Sequence, residues 1–174
     1  MIQTERLLLR RWTPADEPAY AAILADPEVG SWIGVRDADE APARMARHNA
    51  ALDAQGYGRL AVVRRDDGRL IGHCGLMPIG ADLPLAPGVE IGWALAHDAW
   101  GQGYALEAAR AVIADGFERL GLVEITAFTT VGNLRSQAVM TRLGLERRPE
   151  RDFDHPWFPD GHPLCRHLVF VARA

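Results

Sequence analysis

A glycine-rich turn that leads into a long amphipathic helix is the feature that most constrains the fold of this chain. A strand-like run at Val89–Leu95 precedes the turn, which contains Gly101 and Gly103. These glycines leave the backbone free to adopt unusual dihedral angles and to approach a ligand closely. The first N–H groups of the following helix lack partners within the helix, and the helix dipole adds partial positive charge. The order strand, glycine turn, helix therefore predicts a phosphate-binding site.

The helix itself is predicted from the spacing of its apolar residues. They recur three and four positions apart, which indicates one buried face. Gly121 then supplies a residue that tolerates the left-handed conformation at which helices end. The apolar residues of this face are Leu106, Ala109, Val112, Ile113, Phe117 and Leu120.

Two common phosphate loops do not fit the turn. A nucleoside triphosphate loop needs Lys and Ser or Thr after its last glycine, whereas Tyr104 and Ala105 follow Gly103 here. A dinucleotide fingerprint needs a third glycine or alanine where Leu106 stands. Both classes are disfavoured, and an ordinary glycine-rich turn remains the alternative to a binding loop.

Composition limits the class of protein. The 174 residues are 48% hydrophobic, which suits one domain over residues 1–174. The net charge of −4 argues against nucleic acid as a partner. Cys74 and Cys165 form no zinc or disulfide pattern, and no run of about 18 apolar residues is present. With a charged N-terminus in place of a signal peptide, we expect a soluble cytoplasmic protein that does not bind membranes.

The rest of the chain alternates strands and helices. Strands are predicted over residues 3–12, 57–65, 70–79, 122–130, 145–151 and 164–172, with a hairpin at Asp66–Arg69. Helices are predicted over residues 13–26, 38–54 and 133–143. Loops are predicted through Gly30 and Gly34 and over residues 152–163. Gly92 within its strand predicts a bulge or a close approach.

Four motifs, in this order, resemble the GNAT N-acetyltransferases. They are T-E-R-L-x-L-R from Thr4, E-I-G-W-x-L from Glu90, W-G-Q-G-Y-A from Trp100, and N-x-x-S-x-x-V-x-x-x-L-G from Asn133. The third resembles the coenzyme A loop Q/R-x-x-G-x-G/A, with Trp100 at the Q/R position. W-G-Q-G-Y-A followed by Glu-Ala is similar to the RimJ/RimL-like branch, the ribosomal-protein N-terminal acetyltransferases. The resemblance covers nearly the whole chain.

The resemblance implies an α+β fold, classed as α/β in some schemes. It implies a mixed, mostly antiparallel sheet of about six or seven strands, splayed at a bulge and flanked by about four helices. Acetyl-coenzyme A would lie in the splay as co-substrate, with no metal. The implied reaction is acetyl transfer to a primary amine by direct attack within a ternary complex. The acceptor would be a protein N-terminal α-amine or a small amine, and the enzyme a monomer or homodimer.

The resemblance also implies roles for particular residues. Glu90 would act as general base and Ser136 would hydrogen-bond the thiolate, because the family's usual tyrosine acid is replaced by Met140. His155 and Trp157 would lie near the acceptor. The residues implied to bind the cofactor are Trp93, Ala94, Leu95, Gly101, Gln102, Gly103, Tyr104, Ala105 and Asn133.

Each of these residues also has an ordinary structural interpretation. The sequence is equally consistent with Glu90 as a surface carboxylate, with Ser136 as a hydroxyl on a helix surface, and with Asn133 as the cap of a helix. His155, His162 and His167 lack accompanying cysteines or carboxylates at ligand spacing, so a metal site is not expected. The missing tyrosine favours a non-catalytic acyl-coenzyme A sensor as the alternative to an enzyme. An acetyltransferase of drugs or polyamines and a nucleotide-dependent enzyme stay open as well.

Overall fold

The apolar runs of the sequence form one mixed β-sheet in the computed structural model, which describes residues 1–34 and 38–174. Within these residues nine strands pair in the order β1-β2-β3-β4-β5-β6-β9-β7, with β8 on β9. The strands are β1 (Ile2–Gln3), β2 (Leu7–Arg10), β3 (Arg59–Arg64), β4 (Leu70–Pro78), β5 (Val89–Leu95), β6 (Glu124–Thr130), β7 (Glu146–Arg147), β8 (Phe153–Asp154) and β9 (Arg166–Arg173). Six of them have four or more residues, which agrees with the predicted number.

Five α-helices accompany the sheet in the described part of the chain, where about four were predicted. They are α1 (Glu17–Ala25), α2 (Pro27–Ile33), α3 (Ala41–Gln55), α4 (Tyr104–Glu118) and α5 (Leu134–Arg142). Apolar residues of α4 join the core formed with β4 and β5, whereas Tyr20 of α1 and Met45 of α3 pack with Ala61 of β3 in a second cluster. Side chains of a strand alternate between its two faces, so α4 covers one face of the sheet and α1 with α3 the other.

The pairing of β5 with β6 sets the position of the cleft. All other strand pairs are antiparallel, while β5 and β6 are parallel, as the α4 crossover predicts. They pair at one position, Glu90 with Thr126, and the sheet is open beyond it. Gly92 keeps a regular register with β4, so no bulge interrupts that pairing. The register shift in this half of the sheet lies at Val62/Val63 of β3.

The predicted loop through Gly30 is wrong, because residues 27–33 form helix α2. Asp26 caps the helix by accepting a hydrogen bond from the Glu28 N–H at 2.9 Å, and Pro27 occupies the first turn. Gly34 ends the helix at a φ of 67°. These cap residues outweighed the glycine within the helix. The remainder of the predicted loop, residues 35–37, lies outside the described residues.

Three other predicted segments differ from the structure. The strand expected over residues 3–12 is a tight β1–β2 hairpin, because the Thr4 hydroxyl accepts a hydrogen bond from the Leu7 N–H. The strand expected over residues 145–151 shortens to β7 and a 3₁₀ turn at Pro149–Arg151. The loop expected over residues 152–163 contains β8. No helix within the described ranges is long and apolar enough to cross a bilayer.

Candidate active site

A cleft of about 1180 Å³ opens between α3, the sheet and the loop that precedes β9. It brings together six residues to which the sequence analysis assigned a role in binding or catalysis, namely Glu90, Trp93, Asn133, Ser136, His155 and Trp157, together with Met140 and His167. The sequence analysis missed others in its walls, among them Arg44, Arg47, Arg59, His73 and Phe128.

The gap between β5 and β6 leaves backbone groups of β5 directed away from β4. The Ala96 N–H donates to the Ile71 oxygen at 2.8 Å, and bonded residues alternate along an antiparallel ladder. The backbone of Ala94 therefore faces His73 on β4, while Trp93 and Leu95 face the gap. Of the three residues predicted to bind a cofactor through this strand, only Trp93 and Leu95 offer their backbone on that side.

Trp100 ties the end of β5 to the glycine turn. Its indole N–H donates to the Leu95 oxygen at 2.8 Å, and the guanidinium carbon of Arg135 lies 4.7 Å from the centroid of its ring. Trp100 departs from the Q/R pattern, but its indole holds the glycine turn beside the gap.

Both glycines of the turn have backbone angles that favour glycine. The φ values are 75° at Gly101 and 82° at Gly103, and α4 begins at Tyr104. An L-residue in the left-handed region costs about 1–2 kcal/mol. The Gln102 side chain turns back to the Asp98 oxygen, at 2.9 Å, and so buttresses the turn. The amides at the start of α4 therefore lie where the sequence predicted an anion site.

The first sequence motif stabilises the start of α4. The Glu107 carboxylate accepts hydrogen bonds from the Thr4 hydroxyl at 2.6 Å, and from the N–H and Nε of Arg6 at 2.9 and 2.7 Å. Burial opposes ionisation, but these bonds hold the pKa of Glu107 below its usual value. Arg6 also lies 4.5 Å above the ring of Tyr104 and donates to the Gln102 oxygen at 2.9 Å. The N-terminal hairpin thereby fixes the glycine turn.

Glu90 is held by Arg59 across three strands. Arg59 pairs with Gly75 on β4, and Gly75 pairs with Gly92 on β5. The guanidinium lies along this row, where a Cβ added to Gly92 would be 2.6 Å from its Nη2 atom. Nη2 donates to Glu90 Oε1 at 2.5 Å, and both side chains are largely buried. The close approach predicted at Gly92 is therefore that of the Arg59 side chain.

Comparison with known proteins identifies this arrangement. Residues 6–146 match the family described as Acetyltransferase (GNAT) domain. The chain belongs to the GNAT family. The uncharacterized N-acetyltransferase YoaA of Bacillus subtilis (strain 168) is 30% identical, over 99% of this chain and 97% of that protein. Homologues are thus N-acetyltransferases, and the GNAT chain described here is one as well. GNAT enzymes use acetyl-coenzyme A.

Solved structures share the GNAT fold over almost the whole chain. An acetyltransferase from Agrobacterium tumefaciens str. C58 has a TM-score of 0.80 at 30% identity, covering 99% of this chain and 94% of that one. RimL, a ribosomal L7/L12 α-N-protein acetyltransferase in complex with coenzyme A, has a TM-score of 0.76 at 16% identity, with 98% and 95% covered. The second similarity supports the fold alone. The predicted α+β GNAT fold is confirmed.

In this GNAT enzyme α5 lies beside the gap. Asn133 caps α5, because its Oδ1 accepts a hydrogen bond from the Ser136 N–H at 3.1 Å. Ser136 and Met140 line the cleft on the same helix, one turn apart. The position at which many GNAT enzymes carry tyrosine is therefore apolar and 2% exposed.

Two histidines and a tryptophan form the far wall of the cleft. The rings of His155 and His167 lie 5.1 Å apart, and burial lowers the pKa of both, with His167 adding to the effect on His155. His155 Nδ1 accepts from the Trp157 N–H at 3.3 Å. The Trp157 indole donates to Asp82 at 2.8 Å, which joins two loops across this wall. Within residues 1–34 and 38–174 no three His, Cys, Asp or Glu side chains form a metal-binding group.

A further cluster lies beneath α3. The Tyr20 hydroxyl is 3.1 Å from His73 Nδ1, and the rings of His73 and His48 are 5.7 Å apart. Burial, followed by the charges of nearby arginines, lowers the pKa of His48 to about 3 and that of His73 well below its usual value. Both imidazoles are therefore neutral at pH 7.

Proposed function

We propose that this N-acetyltransferase transfers acetyl from acetyl-coenzyme A to a primary amine by direct attack within a ternary complex. One observation carries the proposal. The backbone of Trp93 and Leu95 faces the gap that opens beyond the Glu90–Thr126 pair, and the Trp100 indole ties the glycine turn to Leu95 at the end of the same strand. Cofactor and amine would therefore meet at β5 without an acyl-enzyme intermediate.

The cofactor would be held mainly by backbone groups. The pyrophosphate would bind the N–H groups of residues 101–105, where the dipole of α4 favours an anion. The pantetheine would extend along β5 as an added strand, using Trp93 and Leu95. Because Asn133 Oδ1 already caps α5, its remaining amide N–H groups are the ones that we assign to the cofactor.

The transfer needs a neutral amine, a polarised carbonyl and a tolerable leaving group. Arg59 holds Glu90 Oε1, and we assign Oε2 to the proton that the amine loses. As nitrogen attacks the thioester carbon, a β5 N–H stabilises the developing oxyanion. The C–S bond then breaks, and the thiolate leaves with a hydrogen bond from Ser136. A thiol pKa of about 8.5 makes this leaving group acceptable without a tyrosine acid.

The pKa of the amine distinguishes between the possible classes of acceptor. An α-amine, with a pKa of about 8 at a protein N-terminus, is partly neutral already, whereas a lysine near 10.4 needs more help from the base. We therefore favour an α-amine, either of a protein, as in the RimJ/RimL-like branch, or of a small molecule. A cytoplasmic location is part of this proposal, and Cys74 and Cys165 are both free and buried.

Turnover with acetyl-coenzyme A and a panel of amines tests the proposal. Free thiol should appear in step with an acetylated amine detected by mass spectrometry. Cofactor binding without turnover on any amine would favour the non-catalytic sensor instead. Thermal stabilisation by ATP or NAD, but not by acetyl-coenzyme A, would favour a nucleotide-dependent protein.

A further inference from the structure

Three arginines line the wall of the cleft that faces Glu90. Arg44 and Arg47 lie three residues apart on α3, and Arg59 lies on β3. Arg44 pairs with Glu40 at 3.1 Å and Arg59 pairs with Glu90 at 2.5 Å. Arg47 makes no ion pair with any carboxylate of residues 1–34 and 38–174. Among the described residues, Arg47 is therefore an arginine of this wall that no carboxylate pairs with directly.

The positive charges of Arg44 and Arg59 act on the guanidinium group of Arg47. Partial burial lowers the pKa of Arg47, and the charges of Arg44 and Arg59 lower it further, while Tyr20 and Glu90 act in the opposite direction. Arg47 is accessible to solvent, and like charges gathered at one wall of a cleft repel one another, so an anion bound between them relieves that repulsion. This positive corner is found in a chain whose net charge is −4. It is thus a local feature of the cleft.

We propose that Arg47 and Arg59 bind a carboxylate of the acceptor, so that the acceptor is an amino acid or a close analogue of one. The inference rests on the proposed function, because it assigns the amine to Glu90. Arg59 contacts Glu90 directly, so the positions for the anion and for the amine adjoin each other. A compound with its amine and carboxylate on one carbon fits two adjoining charges of opposite sign. A polyamine or a lysine side chain meets repulsion from the same arginines.

The first experiment compares each common α-amino acid with its own amide as acceptor of the wild-type enzyme. The amide keeps the side chain and the amine but lacks the negative charge. A hydrogen-bonded charge contributes enough for the amide to lose about tenfold to a hundredfold in kcat/KM. The amine of an amide is neutral more often than that of the free amino acid, so amine ionisation works against the expected result. O-phosphoethanolamine is included as a phosphate-bearing amine.

Two variants assign the preference to the cleft. In Arg47→Gln, KM for the preferred amino acid should rise about tenfold or more, and the preference over the amide should fall towards one. Arg110→Gln removes the same charge from an exposed position on α4, outside the cleft lining, and should keep the preference. KM for acetyl-coenzyme A reports in both variants whether the cofactor side is intact.

Each outcome decides the question. Equal use of amino acids and their amides, or an Arg47→Gln enzyme that keeps the wild-type preference, would overturn the carboxylate subsite while leaving amine acetylation standing. Use of O-phosphoethanolamine in place of amino acids would overturn the carboxylate in favour of a phosphate. If no amine were acetylated, the proposed function itself would fail. Calorimetry of N-acetyl amino acids against their amides, with coenzyme A present, then still tests the subsite, because equal affinities would reject it.

Discussion

Acidification below pH 7 should destabilise this protein through His48. The side chain is fully buried, and neither ring nitrogen has a hydrogen-bond partner among the described residues. Burial, then the charges of Arg59, Arg47 and Arg44, lower its pKa from 6.5 to about 3. Because the folded pKa lies below the unfolded one, the unfolded chain takes up the proton first as pH falls. Stability is therefore complete above pH 6.5 and is lost progressively towards pH 3.

The size of the effect follows from these two values. The pKa of His48 is about 6.5 in the unfolded chain and about 3 in the folded protein. Preferential protonation of the unfolded chain therefore lowers the free energy of unfolding by about 2 kcal/mol between pH 7 and pH 5. The slope approaches about 1.4 kcal/mol per pH unit below that. Burial also lowers the pKa of His73, which acts in the same direction. Against a typical stability of about 5–15 kcal/mol, the loss is readily measurable.

The loss of stability on acidification is measured by urea unfolding of the wild type and of His48→Leu at pH 5, 6 and 7. The variant should lose about 2 kcal/mol less than the wild type between pH 7 and pH 5, whatever its stability at pH 7. Leu52→Ala, on the same helix, carries no titrating group and should shift the whole curve by a constant amount. If His48→Leu kept the pH dependence of the wild type, the claim that burial keeps His48 neutral would be refuted.

Three further predictions concern the glycine turn and the cleft. Gly103→Val, at a φ of 82°, should weaken acetyl-coenzyme A at least about tenfold by calorimetry, and Gln102→Ala much less; unchanged affinity in folded Gly103→Val would reject the loop assignment. Glu90→Gln should lower turnover about 10²- to 10⁴-fold with cofactor affinity nearly intact, and the gap should narrow at alkaline pH. Equal pH profiles would remove the role of base from Glu90. Gly92→Ala should displace Arg59 and raise KM for the amine alone; a rise in KM for acetyl-coenzyme A instead would contradict the contact.

Elements bounded by glycine and regular apolar spacing were predictable from the sequence. The bounds of β5 agree with the prediction at both ends, and α4 starts directly after Gly103. The helix after Asn133 ends before Gly144, which has a φ of 78°. At the ends of both helices the local signal and the tertiary packing favour the same structure. Glycine permits a positive φ there, and it also interrupts the apolar pattern.

The walls of the cleft were less predictable, because they depend on strand register. Arg59 and Glu90 are 31 residues apart in sequence and meet only because Gly75 and Gly92 fall in one row. Two glycines on neighbouring predicted strands were the available signal, but their alignment requires the hairpin registers. Trp100 was recognised as a departure from the family pattern, while its bond to Leu95 depends on the fold of the turn.

The single pair between Glu90 and Thr126 has a consequence for how the chain is divided. Strands β1 to β5 come from residues 2–95, and strands β6 to β9 come from residues 124–173. The weakly paired boundary within the sheet, between β5 and β6, therefore also separates the N-terminal part of the sequence from the C-terminal part. A break in the turn after α4, near Gly121, would leave two contiguous fragments, each with its own set of paired strands. The fragments 1–121 and 122–174 are therefore natural partners for reassembly, and ligands that bridge the boundary would act as their cross-link.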